Sequence, residues 1–188
     1  YAGRYYTNIR ELFESPRLSK GGEATPFSAP AEDLDMIIEA CTKDRASGEW
    51  LDVGGGIGAF AGRIAKARPT WKVELNEFNP RSIEIAKSVL GVSARPDDAA
   101  ALAAEGRTYD VISFVMVIEH IVQPRDIITS YARLLKPGGY LAIVVPNFTP
   151  LSAHVAGAAS ASAAPPFHVS LFNRANFERM LWDLGLFA

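Results

Sequence analysis

Four clusters in this sequence carry side chains able to do chemistry. Asp52-Val53-Gly54-Gly55-Gly56-Ile57-Gly58 sets a carboxylate just ahead of four glycines. Glu77 follows 19 residues after Gly58, close to the offset of about 20 at which an acid meets ribose hydroxyls in nucleotide-binding crossovers. Asp97 and Asp98 form an adjacent acidic pair, and Glu119-His120 and His168 supply the titratable groups for proton transfer. Glycines let backbone N–H groups approach a ligand closely. The first N–H groups of a following helix lack internal partners and attract an anionic group. A carboxylate at position 52 would repel a pyrophosphate but accept hydrogen bonds from an ammonium, directly or through water. An acid at position 77 suits ribose hydroxyls and rejects a 2′-phosphate. The ligand these two acids fit together has an amino acid part and an adenosine ribose, as S-adenosylmethionine does.

Those residues need elements to hold them, and the sequence supplies a regular alternation. Trp50 to Val53 is an apolar run that ends in the glycines, and Phe60, Ile64 and Ala67 then fall on one helical face. Pro69 ends that helix. Trp71 to Phe78 reads as a second strand with Glu77 at its carboxyl end. Asn79-Pro80 caps a helix over 81–90 that Gly91 terminates, and Gly91 to Ala94 makes a short third strand. Asp98 caps an alanine-rich helix over 99–104. Tyr109 to Val115 is nearly continuous in apolar residues, as a parallel strand covered on both faces should be. Pro124 opens a helix to about Leu135, Lys136-Pro137-Gly138-Gly139 reads as a turn, and Tyr140 to Val145 is the fifth strand. Upstream, Leu34, Ile37, Ile38 and Cys41 recur at helical spacing; downstream, Asn173 caps a last helix to Leu184. The expected fold is α/β: a Rossmann-like, doubly wound, mostly parallel sheet with helices on both faces. Ligands of such sheets gather at the carboxyl ends of the strands, where each candidate residue lies.

The composition narrows the function classes. The 188 residues are 48% hydrophobic and 21% charged, with a formal net charge of −2 and no basic block, so nucleic acid is not expected as the main partner. No apolar run reaches the roughly 18 residues of a membrane span, and no signal peptide is visible, so the expected location is cytoplasmic. The single cysteine, Cys41, lies on an apolar helix side and reads as core. Residues 1–30 are aromatic and basic around Tyr1, Tyr5, Tyr6, Arg4, Arg10 and Arg17. They read as an N-terminal arm, a surface segment or a lid over a cleft, ahead of a cofactor-binding domain over 31–188. Within it, 147–172 reads as a substrate-side insert with low-complexity alanine and serine. Both ends look cut, which leads us to expect a longer full protein.

With these motifs in place, the chain resembles the class I S-adenosylmethionine-dependent methyltransferases over about Trp50 to Leu186. Asp52 to Gly58 looks like the family's acid-x-G-x-G-x-G motif, and Gly54, Gly55, Gly56 and Gly58 are its glycines. Glu77 is in the position of the ribose-binding acid, and Asp97 or Asp98, with a lean to Asp98, in that of the acid facing the adenine amino group. The resemblance extends the cofactor set to Phe78, beside Glu77, and to Phe114 and Val115 at the end of the fourth strand. Tyr109-Asp110-Val111-Ile112 with Val117-Ile118-Glu119-His120 is similar to the fourth-strand motif of a small-molecule subgroup. Leu134-Leu135-Lys136-Pro137-Gly138-Gly139-Tyr140-Leu141 looks like the turn into the fifth strand. Pro165-Pro166-Phe167-His168-Val169-Ser170-Leu171-Phe172 resembles a segment of members that modify sugars or glycans. The family closes its sheet with a further hairpin, and this sequence stops where that hairpin is expected to start.

The resemblance implies direct displacement of a methyl group from S-adenosylmethionine onto a small-molecule or glycan acceptor, O-methylation foremost, with S-adenosylhomocysteine as product. His120 is the candidate general base, since histidine is the side chain most often used; the bland alternative is that Glu119-His120 braces the loop. His168 is a candidate substrate contact or a structural histidine. Glu119 is a lesser candidate for a base or metal contact, and His154 a remote one. Three histidines without clustered cysteines give no zinc spacing, so no metal is expected. Two other readings stay open: an NAD-dependent oxidoreductase, and a non-catalytic cofactor-binding protein.

Overall fold

The computed structural model describes residues 31–148 and 167–186. The N-terminal arm, His154 and the low-complexity run of 149–166 lie outside the described residues. The strands are β1 (Glu49–Val53), β2 (Lys72–Asn76), β3 (Ser93–Arg95), β4 (Tyr109–Val115) and β5 (Leu135–Val144). The helices are α1 (Ala31–Thr42), α2 (Ala59–Ala67), α3 (Pro80–Ser88), α4 (Ala99–Ala104), α5 (Pro124–Ala132) and α6 (Arg174–Asp183). A short 3-10 turn, Ile118–His120, follows β4.

The strands lie in the order β3-β2-β1-β4-β5, and every neighbouring pair is parallel. The order reverses between β1 and β4, so the crevice for a ligand opens beyond Val53 and Val115. Side chains alternate along each strand. Leu51, Val53, Ile112 and Phe114 point to one face and join Ala99, Leu102, Ile128, Tyr131 and Met180 of α4, α5 and α6. On the other face Trp50 and Val111 meet Ile38, Cys41, Phe60 and Ile64 of α1 and α2, and Leu75 meets Ala61 and Ala86 of α2 and α3. Burial on both faces explains the continuous apolar runs of β1 and β4. Cys41 is in this core, and burial pushes its thiol up to about 11, so the core reading holds.

Local signals set most boundaries as expected. Asn79 accepts from Arg81 N at 3.0 Å, with Pro80 in the first turn. Asp98 accepts from Ala101 N at 2.8 Å, and Asn173 with Asn176 forms a reciprocal capping box. β2 is shorter than expected, so Glu77 lies just past its end; α3 stops at Ser88; and β3 is shifted to Ser93–Arg95. Two further boundaries differ for a tertiary reason. α5 stops at Ala132 rather than running to Leu135, because the Leu134 carbonyl accepts from Tyr109 N at 2.8 Å and draws the chain into the sheet. β5 therefore begins at Leu135, opposite Tyr109, and the ladder resumes at Tyr140 opposite Val111. Lys136-Pro137-Gly138-Gly139 is a bulge inside the strand, not a turn ahead of it.

Candidate functional site

Asp52 lies in the buried middle layer, fully enclosed beneath the glycine loop. Its partner across the β1/β4 ladder is Ser113. The Ser113 hydroxyl donates to Asp52 Oδ1 at 2.7 Å and accepts from Trp50 Nε1–H at 2.9 Å. Oδ2 is buried with no hydrogen-bond partner among the described residues. Burial pushes the Asp52 carboxyl up to about 7; the Ser113 hydrogen bond pulls against it and the nearby Glu77 charge adds to it. A buried carboxylate oxygen without a donor is costly, and a ligand ammonium reaching it, directly or through one water, would relieve that cost.

The loop above Asp52 is held from both sides. Gly54 N donates to Asn76 O at 2.7 Å, and Gly56 N donates to Glu77 Oε2 at 2.9 Å. Glu77 Oε1 accepts from Asn79 N at 2.9 Å, so this acid links the glycine loop to the start of α3. The N-cap of α2 is Gly58, with φ +83° and no side-chain hydrogen bond to the helix. The dipole end of α2 is thus left for a ligand rather than filled by the protein.

The other sequence candidates sit as follows. Asp97 pairs with Arg95 at 2.6 Å, and the Arg95 hydrogen bond holds its carboxyl below the usual range. Asp98 is exposed and caps α4 through Oδ1. Phe78 is exposed beside Glu77. Phe114 is buried edge-to-face on Tyr131, ring centroids 5.5 Å apart, so its side chain serves the core and only its backbone faces the crevice end of β4. Val115 is partly buried against the α1/α2 side.

Past β4, Met116 takes a positive φ of 56°, a strained turn for a non-glycine residue, and the chain enters the Ile118–His120 turn. Glu119 is 1% exposed, and neither carboxylate oxygen has a hydrogen-bond partner among the described residues. Burial raises its carboxyl above the usual range, against the opposing pull of its own backbone N–H, His120 and His168. Its carbonyl accepts from Val169 N at 2.9 Å and Ser170 N at 3.0 Å. This anchors the segment after Phe167 over the turn and brings His168 to His120, ring centroids 4.9 Å apart. His120 Nδ1 lies 2.9 Å from the Phe167 carbonyl. A carbonyl only accepts, so Nδ1 carries a proton, and in the neutral ring the lone pair is on Nε2. Nε2 is 3.9 Å from Glu119 Oε1. The structure thus gathers Glu119, His120 and His168 into one cluster, at the same sheet end as Asp52 and Glu77.

Two participants were not singled out from the sequence. Ser113, a hydroxyl inside an apolar strand, is the partner of Asp52. Asn76 is fully buried at the end of β2; its Nδ2 donates to the Asp97 carbonyl, and its Oδ1 accepts from the Tyr131 hydroxyl at 2.8 Å. For Ser113 the signal was one polar residue between apolar Ile112 and Phe114; Asn76, between Leu75 and Glu77, carried no such signal.

Known proteins agree with this architecture. The family described as a methyltransferase domain matches residues 29–187. A ubiquinone biosynthesis O-methyltransferase of Parvibaculum lavamentivorans is 35% identical over 108 residues, which cover 56% of this chain and 42% of that protein. A mitochondrial 2-methoxy-6-polyprenyl-1,4-benzoquinol methylase of Caenorhabditis elegans is 31% identical over 103 residues, covering 50% of this chain and 36% of that one. The matches thus span less than half the length of these relatives. The plantazolicin methyltransferase BpumL, in complex with a monoazolic desmethylPZN analog and SAH, shares the fold with a TM-score of 0.63 at 18% identity, over 94% of this chain and 66% of that one.

Proposed function

The chain belongs to the methyltransferase-domain family, and on that premise we propose that it binds S-adenosylmethionine and methylates an oxygen of a small-molecule or sugar acceptor, leaving S-adenosylhomocysteine. The observation that carries this reading is the unpartnered, fully buried Oδ2 of Asp52 directly under the glycine loop. That donor-hungry oxygen fits an ammonium and opposes a pyrophosphate, which favours the proposed cofactor over a nicotinamide dinucleotide.

In this reading Asp52 receives the amino group, the glycine loop and the uncapped start of α2 face the carboxylate, and Glu77 takes the ribose hydroxyls. Asp98, or Asp97 beside it, faces the adenine amino group, with Phe78 alongside the ring. When bound, S-adenosylmethionine supplies a methyl group made electrophilic by its positively charged sulfur. The remaining work of the chain is alignment, worth up to roughly 7–11 kcal/mol in well-oriented systems, and removal of the acceptor's hydroxyl proton. In this reading His120 takes the second task; what supports it is that Phe167 O accepts from Nδ1–H, which leaves Nε2 of the neutral ring as the basic atom. His168, carried over the turn, contacts the acceptor. The acceptor itself is of the hydroxylated small-molecule or sugar class.

Calorimetry with S-adenosylhomocysteine and, separately, NAD tests the reading. Binding of the first and not the second is expected, with Glu77→Ala weakening it roughly 10- to 100-fold, the worth of hydrogen bonds to a charged group. Binding of NAD alone, or an affinity indifferent to Glu77, overturns it.

A further inference from the structure

Among the described residues, Glu119 is the only one with both side-chain oxygens buried and without a hydrogen-bond partner. The cationic groups that face it, among the described residues, are His120 and His168. One ligand atom from each of the three lies within 4.8 Å of the others. We propose that Glu119, His120 and His168 bind a divalent first-row transition ion, with Zn2+, Co2+ or Mn2+ as suitable occupants. The proposal rests on the placement of the acceptor at His120 given above and adds the ion that would hold the acceptor oxygen there; with the ion bound, Nε2 of His120 is a ligand, and the ion takes over from it the task of making the acceptor hydroxyl acidic.

Three observations support it. First, a carboxylate this deeply enclosed is expensive unless a cation meets it, and both oxygens are open to one. Second, the Nδ1–H of His120 is engaged by the Phe167 carbonyl. That arrangement fixes the ring and directs Nε2 to a metal, as backbone carbonyls commonly do for ligating histidines. Third, the site is tied together by its own backbone. Glu119, which supplies the carboxylate, also supplies the carbonyl that binds Val169 N and Ser170 N, and so fixes the segment carrying His168.

Two imidazole nitrogens and one carboxylate favour transition ions over Mg2+ or Ca2+. Bond lengths of about 2.0–2.1 Å put tetrahedral ligands roughly 3.4 Å apart. The present 3.9 Å between His120 Nε2 and Glu119 Oε1 needs only a small inward movement, and His168 a larger one. Three protein ligands leave at least one position open, which a hydroxylated acceptor can fill through its oxygen.

The test is a titration of the full-length chain, stripped by chelator, with Co2+ followed by visible absorption and then displaced by Zn2+. One ion per chain is expected, with affinity lowered at least roughly tenfold in Glu119→Ala and in His168→Ala, while both variants keep the parent affinity for S-adenosylhomocysteine as evidence of folding. Absence of a Co2+ spectrum, or binding indifferent to both substitutions, overturns the metal site. Full methyl transfer by the stripped chain in excess chelator also overturns it and leaves the methyltransferase reading intact. Loss of S-adenosylhomocysteine binding with the Co2+ spectrum retained would sink the methyltransferase reading instead.

Discussion

Gly55 sits so close over Asp52 that a Cβ on it would lie 2.3 Å from Asp52 Oδ2 and 2.8 Å from Leu75 Cδ1. The glycine is required by the carboxylate beneath it, whereas Gly56, one residue on, has nothing within 4 Å of its Cβ position and a φ of +57°. These neighbours should therefore respond differently. Gly55→Ala is expected to displace Asp52, destabilise the fold by about 1–3 kcal/mol as overpacking does, and lose cofactor affinity. Gly56→Asn, with a side chain that tolerates positive φ, is expected to melt near the parent yet bind S-adenosylhomocysteine at least roughly tenfold more weakly, a loss of about 1.4 kcal/mol. Thermal melts and calorimetry separate the two. Equal melting losses would mean that the loop is uniformly strained and Asp52 is not the reason for Gly55.

Asp52 also sets a pH dependence. Its folded carboxyl titrates near 7 against an ordinary 3.8, so the folded, ligand-free chain binds a proton that the unfolded chain has already lost. The stability this gives is complete below about pH 4 and declines as pH rises to 7, by roughly 1.4 kcal/mol per pH unit across that window. Cofactor binding runs the other way, because an ammonium needs the carboxylate. Affinity for S-adenosylhomocysteine should fall toward tenfold per unit as pH drops below 7, with a proton released on binding at pH 6. Calorimetry in buffers of different ionisation enthalpy measures that proton directly. Asp52→Asn should abolish the release, and a flat affinity from pH 5.5 to 8 would remove Asp52 from the amino-group site.

For His120 the expected pattern is a split between binding and turnover. His120→Ala should keep cofactor affinity, since Asp52 and Glu77 are untouched, and lower kcat by roughly 10²- to 10⁴-fold, the usual worth of a positioned general base. Phe167 O loses its donor in the same variant, so His120→Gln, which can still donate to that carbonyl, is the better control. If Gln restores turnover, His120 is a brace and not a base.

What the sequence showed and what it concealed follow from the range of the interactions involved. Tyr109 to Val115 was readable because both faces of β4 are covered, which leaves an unbroken apolar run. α4 was readable because its cap, Asp98, adjoins it. The start of β5 was not, since Leu135 becomes strand only through Tyr109, 26 positions away, while the Lys-Pro-Gly-Gly run signals a turn that the ladder absorbs as a bulge. The glycine loop and its two acids were legible as a motif. The burial of Glu119 was not: its carbonyl holds Val169 and Ser170 from 50 and 51 residues downstream, and no local pattern announces that closure. Ser113 escaped for the same reason, as its role depends on the β1/β4 register.

Asp110 offers a stability test remote from the crevice. It stands at the amino end of β4 and accepts from Arg45 at 2.7 Å, Glu49 N at 2.9 Å and Lys136 at 2.8 Å. Arg45 also donates to Gly138 O at 2.5 Å, and Lys136 to Glu49 at 2.9 Å. One carboxylate thus fastens the start of β1, the start of β4 and the bulge in β5. Burial alone would raise its carboxyl, but the Lys136 hydrogen bond, the Glu49 backbone N–H and the charges of Lys136 and Arg45 outweigh it and hold the group below 3.8. The sign is the reverse of Asp52: the stability is present above about pH 4 and is lost as pH falls through the depressed value. Asp110→Ala should cost about 1.5–3 kcal/mol at pH 7, the worth of hydrogen bonds to a charged group. Asp110→Asn, which keeps an acceptor, should cost less. Affinity for S-adenosylhomocysteine in the folded fraction should not change, because the cluster lies at the opposite end of β4 from His120. Denaturant melts at pH 7 and pH 3 check both parts, and a variant as stable as the parent at pH 7 would show that the bulge in β5 holds without its ion pairs.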